Sequence, residues 1–383
     1  MKEYRGEINR IIHHIKQSSG WTPGERKFDV RRMGLVSDSS ACLNGESVNR
    51  KIFIFRSNGC HWARKNGCSM CGYYTETTGE QGIVRAEDYV AQLRRELEQT
   101  DFTDYPVVCL FTAGSFLDNW EFPWESAQEV FRLLGQEKGI RKVVIESCAE
   151  YVEEGKVALL RELIGDKIIE VGIGLESADP YVLRNCVNKD FTLEDYEHAA
   201  KILRKYFQVL SYVLVKPPFL TEREGLELAI QTGSYAFDCG SQSISLEPMY
   251  VEQYTLVDYL FRGGYLYNNE SYRPPWLWTV FEAARQLRRL YPEREVRIGY
   301  SDELPTPYHV ARNCDQCSDE AYQRIRSYAQ TYDLSLFDSF DCACKRDWLS
   351  DLDNPNALPL DARLEHFVRA YHERQSSSVC LNS

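Results

Sequence analysis

Short runs rich in β-branched and aromatic residues recur along this chain, each followed by a stretch whose apolar residues fall near a 3.6-residue spacing. That alternation restricts the fold more than any other feature, because it is what stacked βα units around a parallel sheet produce. Six strands are predicted, over 52–56, 107–112, 143–146, 168–175, 209–215 and 243–247. Helices are predicted between them, over 87–98, 124–137, 152–164, 193–206 and 224–237. The predicted class is α/β, a partial (βα)6 barrel of TIM-like form.

The barrel accounts for residues 48–250. Residues 1–47 read as an N-terminal extension, with an amphipathic helix over 4–16 and a polar, glycine-bearing stretch over 18–47. Residues 251–383 read as a C-terminal region with a helix to Leu290, a short strand over 296–300 and a cysteine-bearing segment over 309–348. Only 375–383 reads as disordered.

The composition excludes some functions. The longest apolar runs, such as 209–215, are far shorter than the roughly 20 residues that cross a bilayer. Neither a span nor a secretory signal is visible, so a cytoplasmic protein with no membrane partner is expected. Thirteen cysteines is an odd number, which fits metal or iron-sulfur ligation in a reducing compartment better than a full set of disulfides. The net charge of −12 argues against broad non-specific binding to nucleic acid, while a localised basic site is still permitted. Arg285, Arg288, Arg289, Arg294 and Arg297 read as a solvated, paired face.

Cys60, Cys68 and Cys71 form Cys-x7-Cys-x2-Cys in a loop just after the first predicted strand. Barrel enzymes place their chemistry at such strand ends. Three thiolates leave one iron of a four-iron, four-sulfur cluster open, and that iron can chelate S-adenosylmethionine (SAM) before passing an electron to its sulfonium. A zinc site completed by His61 or a distant residue is the alternative. Polar or glycine-bearing residues end the other strands: Gly114 and Ser115, then Glu146 and Ser147, then Glu176. Glycines let a cofactor approach the backbone, and the polar side chains can meet its ribose and carboxylate. Lys216 and Glu247, at the fifth and sixth strand ends, are candidate substrate-site residues.

A second set, Cys314 and Cys317 with Cys342 and Cys344, has the spacing of a four-thiolate site for zinc or a second iron-sulfur cluster. Cys109 and Cys148 lie on or beside strands, and packing is their predicted role.

The loop from Gly59 to Tyr73, the run Gly114 to Asp118, the run Lys216 to Glu222, the segment Arg273 to Trp278 and the tail cysteines together resemble the radical SAM enzymes of archaeosine synthesis. Those enzymes are related to the radical SAM part of the Elongator catalytic subunit. The resemblance covers most of the chain, although the first cysteine gap is four residues longer than in the commonest radical SAM loop. It implies a radical SAM barrel in which Cys60, Cys68 and Cys71 ligate the cluster. Met70 would approach the adenine, and Gly114, Ser115, Glu146, Ser147 and Glu176 would border SAM. It further implies a tRNA-modifying lyase, acting on a 7-deazaguanine that already carries lysine through an amidine. A 5′-deoxyadenosyl radical takes hydrogen from the lysine side chain, and carbon-nitrogen cleavage leaves archaeosine. The implied partners are tRNA, a lysine-transferring tRNA modification enzyme and an external electron donor such as flavodoxin or ferredoxin. Two alternatives stay open: a radical SAM enzyme for another nucleoside, DNA base or small molecule, and a non-enzymatic zinc-binding scaffold.

Overall fold

The computed structural model describes residues 2–19, 28–77, 84–263, 265–267, 270–299, 309–354 and 357–380. An eight-stranded sheet dominates it, in the order β1 (Leu35–Leu43), β2 (Glu46–Ile54), β3 (Val107–Phe111), β4 (Lys142–Ser147), β5 (Ile168–Glu176), β6 (Gln208–Val215), β7 (Ser243–Pro248) and, past a small hairpin of β8 (Tyr265–Tyr267) and β9 (Glu270–Ser271), β10 (Glu295–Ile298). From β2 to β7 every neighbour is parallel and consecutive, which is the predicted (βα)6 partial barrel. Their near-continuous apolar runs, such as the fully buried Val107–Leu110 of β3, match strands covered on both faces.

Both sheet edges are longer than the sequence predicts. The first predicted strand begins at Glu46, and it pairs antiparallel with β1, which runs through the stretch read as polar extension. β1 is rich in serine because that face borders the barrel cavity, where Ser37 and Ser39 lie. At the other edge β10 adds in parallel to β7. Tyr300, which ends the predicted strand there, lies outside the described residues.

The helices α1 (Arg5–Ser18), α2 (His61–Lys65), α3 (Ala86–Gln99), α4 (Trp124–Gln136), α5 (Glu154–Ile164), α6 (Pro180–Val182), α7 (Leu193–Leu203), α8 (Glu222–Asp238), α9 (Leu256–Phe261) and α10 (Leu277–Leu290) come before the second cysteine set. After or within it follow α11 (Ser318–Thr331), α12 (Ser335–Asp338), α13 (Lys345–Leu352) and α14 (Leu360–Cys380). Caps explain the sharp starts of α7 and α8: Thr192 and Thr221 each accept from the third helical N–H, while Asp195 and Glu224 reach back. The predicted disorder from 375 is overturned for 375–380, which continue α14; Arg374 ties this helix to the Gly263 carbonyl at 3.1 Å. Residues 381–383 lie outside the described residues.

The main core fills the space between sheet and outer helices. A second core joins α1, α9 and α14 through Ile8, Ile11, Leu256, Leu260 and Phe367. α11 packs on β1, β2 and β10, so it bridges the two edges of the incomplete barrel. Inside, Glu170 is 1% exposed and forks onto Arg297 at 2.6 and 2.8 Å, with Lys142 at 2.8 Å. Burial alone raises a carboxyl pKa, but the two cations outweigh it and hold Glu170 at about 2. Arg297 therefore belongs to the barrel interior and not to the solvated face predicted for it.

Candidate functional site

The cysteine loop is long and carries little regular structure, so its shape depends on what grips it. Lys16 of α1 donates to the carbonyls of Ala63 at 3.0 Å and Asn66 at 2.7 Å. Asn188, in left-handed backbone at φ 61°, donates to the Gly67 carbonyl at 2.8 Å and accepts the Trp62 indole N–H at 2.9 Å. The Ser69 N–H donates to the Val187 carbonyl at 2.9 Å. Two buried carboxylates complete the grip. Glu121 accepts the His61 N–H at 2.5 Å and the Ser115 N–H, and Glu252 accepts the Gly72 N–H. Burial pushes both carboxyls up to about 8.

Cys60, Cys68 and Cys71 open on one cavity of about 550 Å³ enclosed by the sheet. Burial raises all three thiol pKa values, that of Cys71 to about 12. A cationic centre would reverse that effect by holding them as thiolates. Among the described residues, the three sulfurs are not drawn into a set lying within 4.8 Å of one another.

The strand ends form the opposite wall. Gly114 lies so close to the loop that an added Cβ would sit 3.1 Å from the Cys60 Cα and would collide with Glu121. Ala113 and Glu176 hold left-handed φ of 62° and 63°, uncommon for residues with side chains and costly enough to mark a constrained site. Ser147 lines the cavity and shares a 2.7 Å hydrogen bond with Ser115, which sits just behind the wall. Glu146 accepts the Tyr212 hydroxyl at 2.7 Å. Glu176 pairs with Lys189 at 3.0 Å, and Met70 and Glu247 also face the cavity.

Lys216 does not join this group. Its ammonium is buried in a 2.7 Å ion pair with Glu222, outside the cavity lining. Several lining residues had no signal in the sequence. Lys189 follows a π-helical turn over Leu183–Val187, Tyr73 and Tyr250 share a 3.0 Å hydroxyl contact, and Cys148, read as packing, faces the cavity. Glu121 lies three residues beyond the Gly114 to Asp118 run, in a stretch with no metal-ligand spacing.

The second cysteine set converges. Cys314, Cys317, Cys342 and Cys344 hold their sulfurs within 4.8 Å of one another, outside the cavity.

A half-barrel with a three-cysteine loop facing a cavity at the strand ends is the architecture of a radical SAM protein, and the Radical SAM superfamily sequence model matches residues 54–229. Archaeosine synthase subunit beta of Methanosarcina acetivorans is 32% identical over 310 residues, which are 80% of this chain and 86% of the relative. The subunit of the same name from Thermococcus kodakarensis is 31% identical, covering 79% and 92% of the two chains. The chain belongs to the archaeosine synthase subunit beta family of radical SAM proteins. Among solved structures, an N-terminally truncated archaeal Elp3 from Methanocaldococcus infernus aligns at TM-score 0.45 and 15% identity, over 63% of this chain and 59% of that one. Among the described residues no helix is long and apolar enough to cross a membrane.

Proposed function

We propose that this chain is the radical-forming lyase of archaeosine synthesis, acting on tRNA whose 7-deazaguanine already carries lysine through an amidine. Cys60, Cys68 and Cys71 hold a four-iron, four-sulfur cluster. With SAM bound, the cluster supplies the electron that cleaves the sulfonium, giving the hydrogen-abstracting chemistry that ends in carbon-nitrogen cleavage. Lys16, Asn188, Glu121 and Glu252 fix the loop backbone, so the thiols need no reorganisation when the cluster loads. Gly114, Ser115 and Ser147 border the amino-acid part of SAM, while Met70, Glu146 and Glu176 border the rest. The Glu176–Lys189 pair places one of each charge on the wall and is unscreened by bulk water, so it orients a zwitterionic ligand strongly. Trp62 and Lys189, both half-buried, add an indole and an ammonium to the same cavity lining.

A single observation carries the proposal: three loop thiols open on a cavity walled by strand ends, in a chain of this family. The finer chemistry is tested by anaerobic reconstitution with lysine-modified tRNA. The expected result is 5′-deoxyadenosine release that depends on that tRNA, and loss of the lysine-adducted nucleoside in favour of archaeosine. Equal release without tRNA would contradict it.

A further inference from the structure

The four tail sulfurs lie closer together than an iron-sulfur cluster allows. Contacts of 3.6 Å join Cys314 to Cys317, Cys314 to Cys342 and Cys317 to Cys344. A zinc-sulfur bond of about 2.3 Å in tetrahedral geometry sets the sulfur-sulfur separation at about 3.8 Å. A cube with each thiolate on its own iron spreads the sulfurs farther, and a two-iron cluster brings only two of the six sulfur pairs this close, against the three contacts here.

We infer that Cys314, Cys317, Cys342 and Cys344 form a closed tetrahedral site for one zinc ion, and that this ion is the clasp that holds the two edges of the half-barrel together. Each cysteine pair sits at the start of a helix. Cys317 precedes α11 and Cys344 precedes α13, so one ion would join the first turns of two helices. The Trp278 indole N–H donates to the Cys344 sulfur at 3.4 Å and fixes that ligand. No position is left open for a substrate. Between ligands of similar softness a thiolate site prefers zinc to ferrous iron.

The clasp role follows from what the ion would fix. α11 starts at this site and bridges β1, β2 and β10, with the Tyr328 hydroxyl donating to the Val296 carbonyl of β10 at 2.6 Å. Ala329 and Tyr332, at its far end, line the barrel cavity. α13 carries Trp348, whose N–H donates to Thr279 at 2.8 Å; Thr279 in turn donates to Glu222, the partner of Lys216. The ion thus anchors both the seam of the sheet and the end of β6.

The test uses the full chain as the triple variant C60A/C68A/C71A, which removes the loop thiols and so reads this site independently of the radical SAM proposal. Anaerobic metal analysis is expected to find one zinc per chain without acid-labile sulfide. Cobalt loaded in its place is expected to give the intense visible bands of a tetrahedral tetrathiolate. Iron with sulfide in this variant, weak octahedral cobalt bands, or no zinc would overturn the assignment. If the triple variant does not fold, the unaltered protein decides: one zinc beside four irons supports the site, and more than four irons or no zinc overturns it. In the zinc-loaded protein, C317S should release the ion and speed proteolysis within 309–352. Retained zinc or unchanged cleavage would contradict the clasp.

Discussion

The chain holds two cysteine sets that differ in almost every physical respect. The loop set stands on largely irregular backbone, faces a cavity and is gripped by side chains from distant segments. The tail set stands at two helix starts, lies outside that cavity and draws four sulfurs into contact range. Sulfur count and spacing separate a site that can do chemistry from one that holds structure. Three thiols leave a coordination position for a ligand, and four gathered ones use every position.

The largest effects should come from exchanging those roles. Replacing Cys68 with Ala should abolish 5′-deoxyadenosine formation while the zinc content and the melting temperature stay near those of the parent. Cys317→Ser should do the opposite at first, losing zinc and stability. For a protein of this size each kcal/mol moves the melting temperature by roughly 1 °C, so a structural zinc site's binding energy of about 10 kcal/mol is easily seen by calorimetry. Equal loss of activity and stability in both variants would erase the comparison.

A smaller effect belongs to the barrel interior, which neither metal touches. Glu170→Gln leaves the buried Lys142 without its counter-charge and Arg297 with only the half-exposed Glu295, at a cost of about 3–5 kcal/mol. Glu170 titrates near 2 in the folded protein, below its unfolded value, so its contribution is full above about pH 4.3 and fades as pH falls toward 2. The variant should therefore lose most of its stability deficit in that acid window, measured by denaturant titration at several pH values. Both metals should remain.

Glu176→Gln should weaken SAM binding by about 10- to 100-fold, because it removes a charged partner worth about 1.5–3 kcal/mol from Lys189, and calorimetric titration would measure it. The smallest change is expected from Cys148→Ala. If three thiols suffice, iron content stays at four per chain, and a loss of iron would make Cys148 a fourth ligand.

How much of this was legible depends on whether sequence spacing or tertiary contact sets the feature. The parallel strands β2 to β7 were readable because burial on both faces leaves apolar runs, and both cysteine sets were readable because their ligands lie close in sequence. β1 was hidden because a half-buried strand at the sheet edge, bordering the cavity, keeps serines where a core strand has valines. Glu121, Glu252 and Lys189 were hidden because their meaning comes from partners across the fold. Lys216 looked like a site residue from its place at a strand end, yet its left-handed backbone, φ 59°, and Glu222 turn it away from the cavity.

The central claim is an iron left open by the loop set, and electron paramagnetic resonance of the reduced, anaerobically purified protein addresses it most directly. The account predicts a four-iron signal whose g values shift when SAM is added, and no such signal in Cys68→Ala. A spectrum indifferent to SAM, or the absence of any four-iron signal in the parent protein, would contradict it.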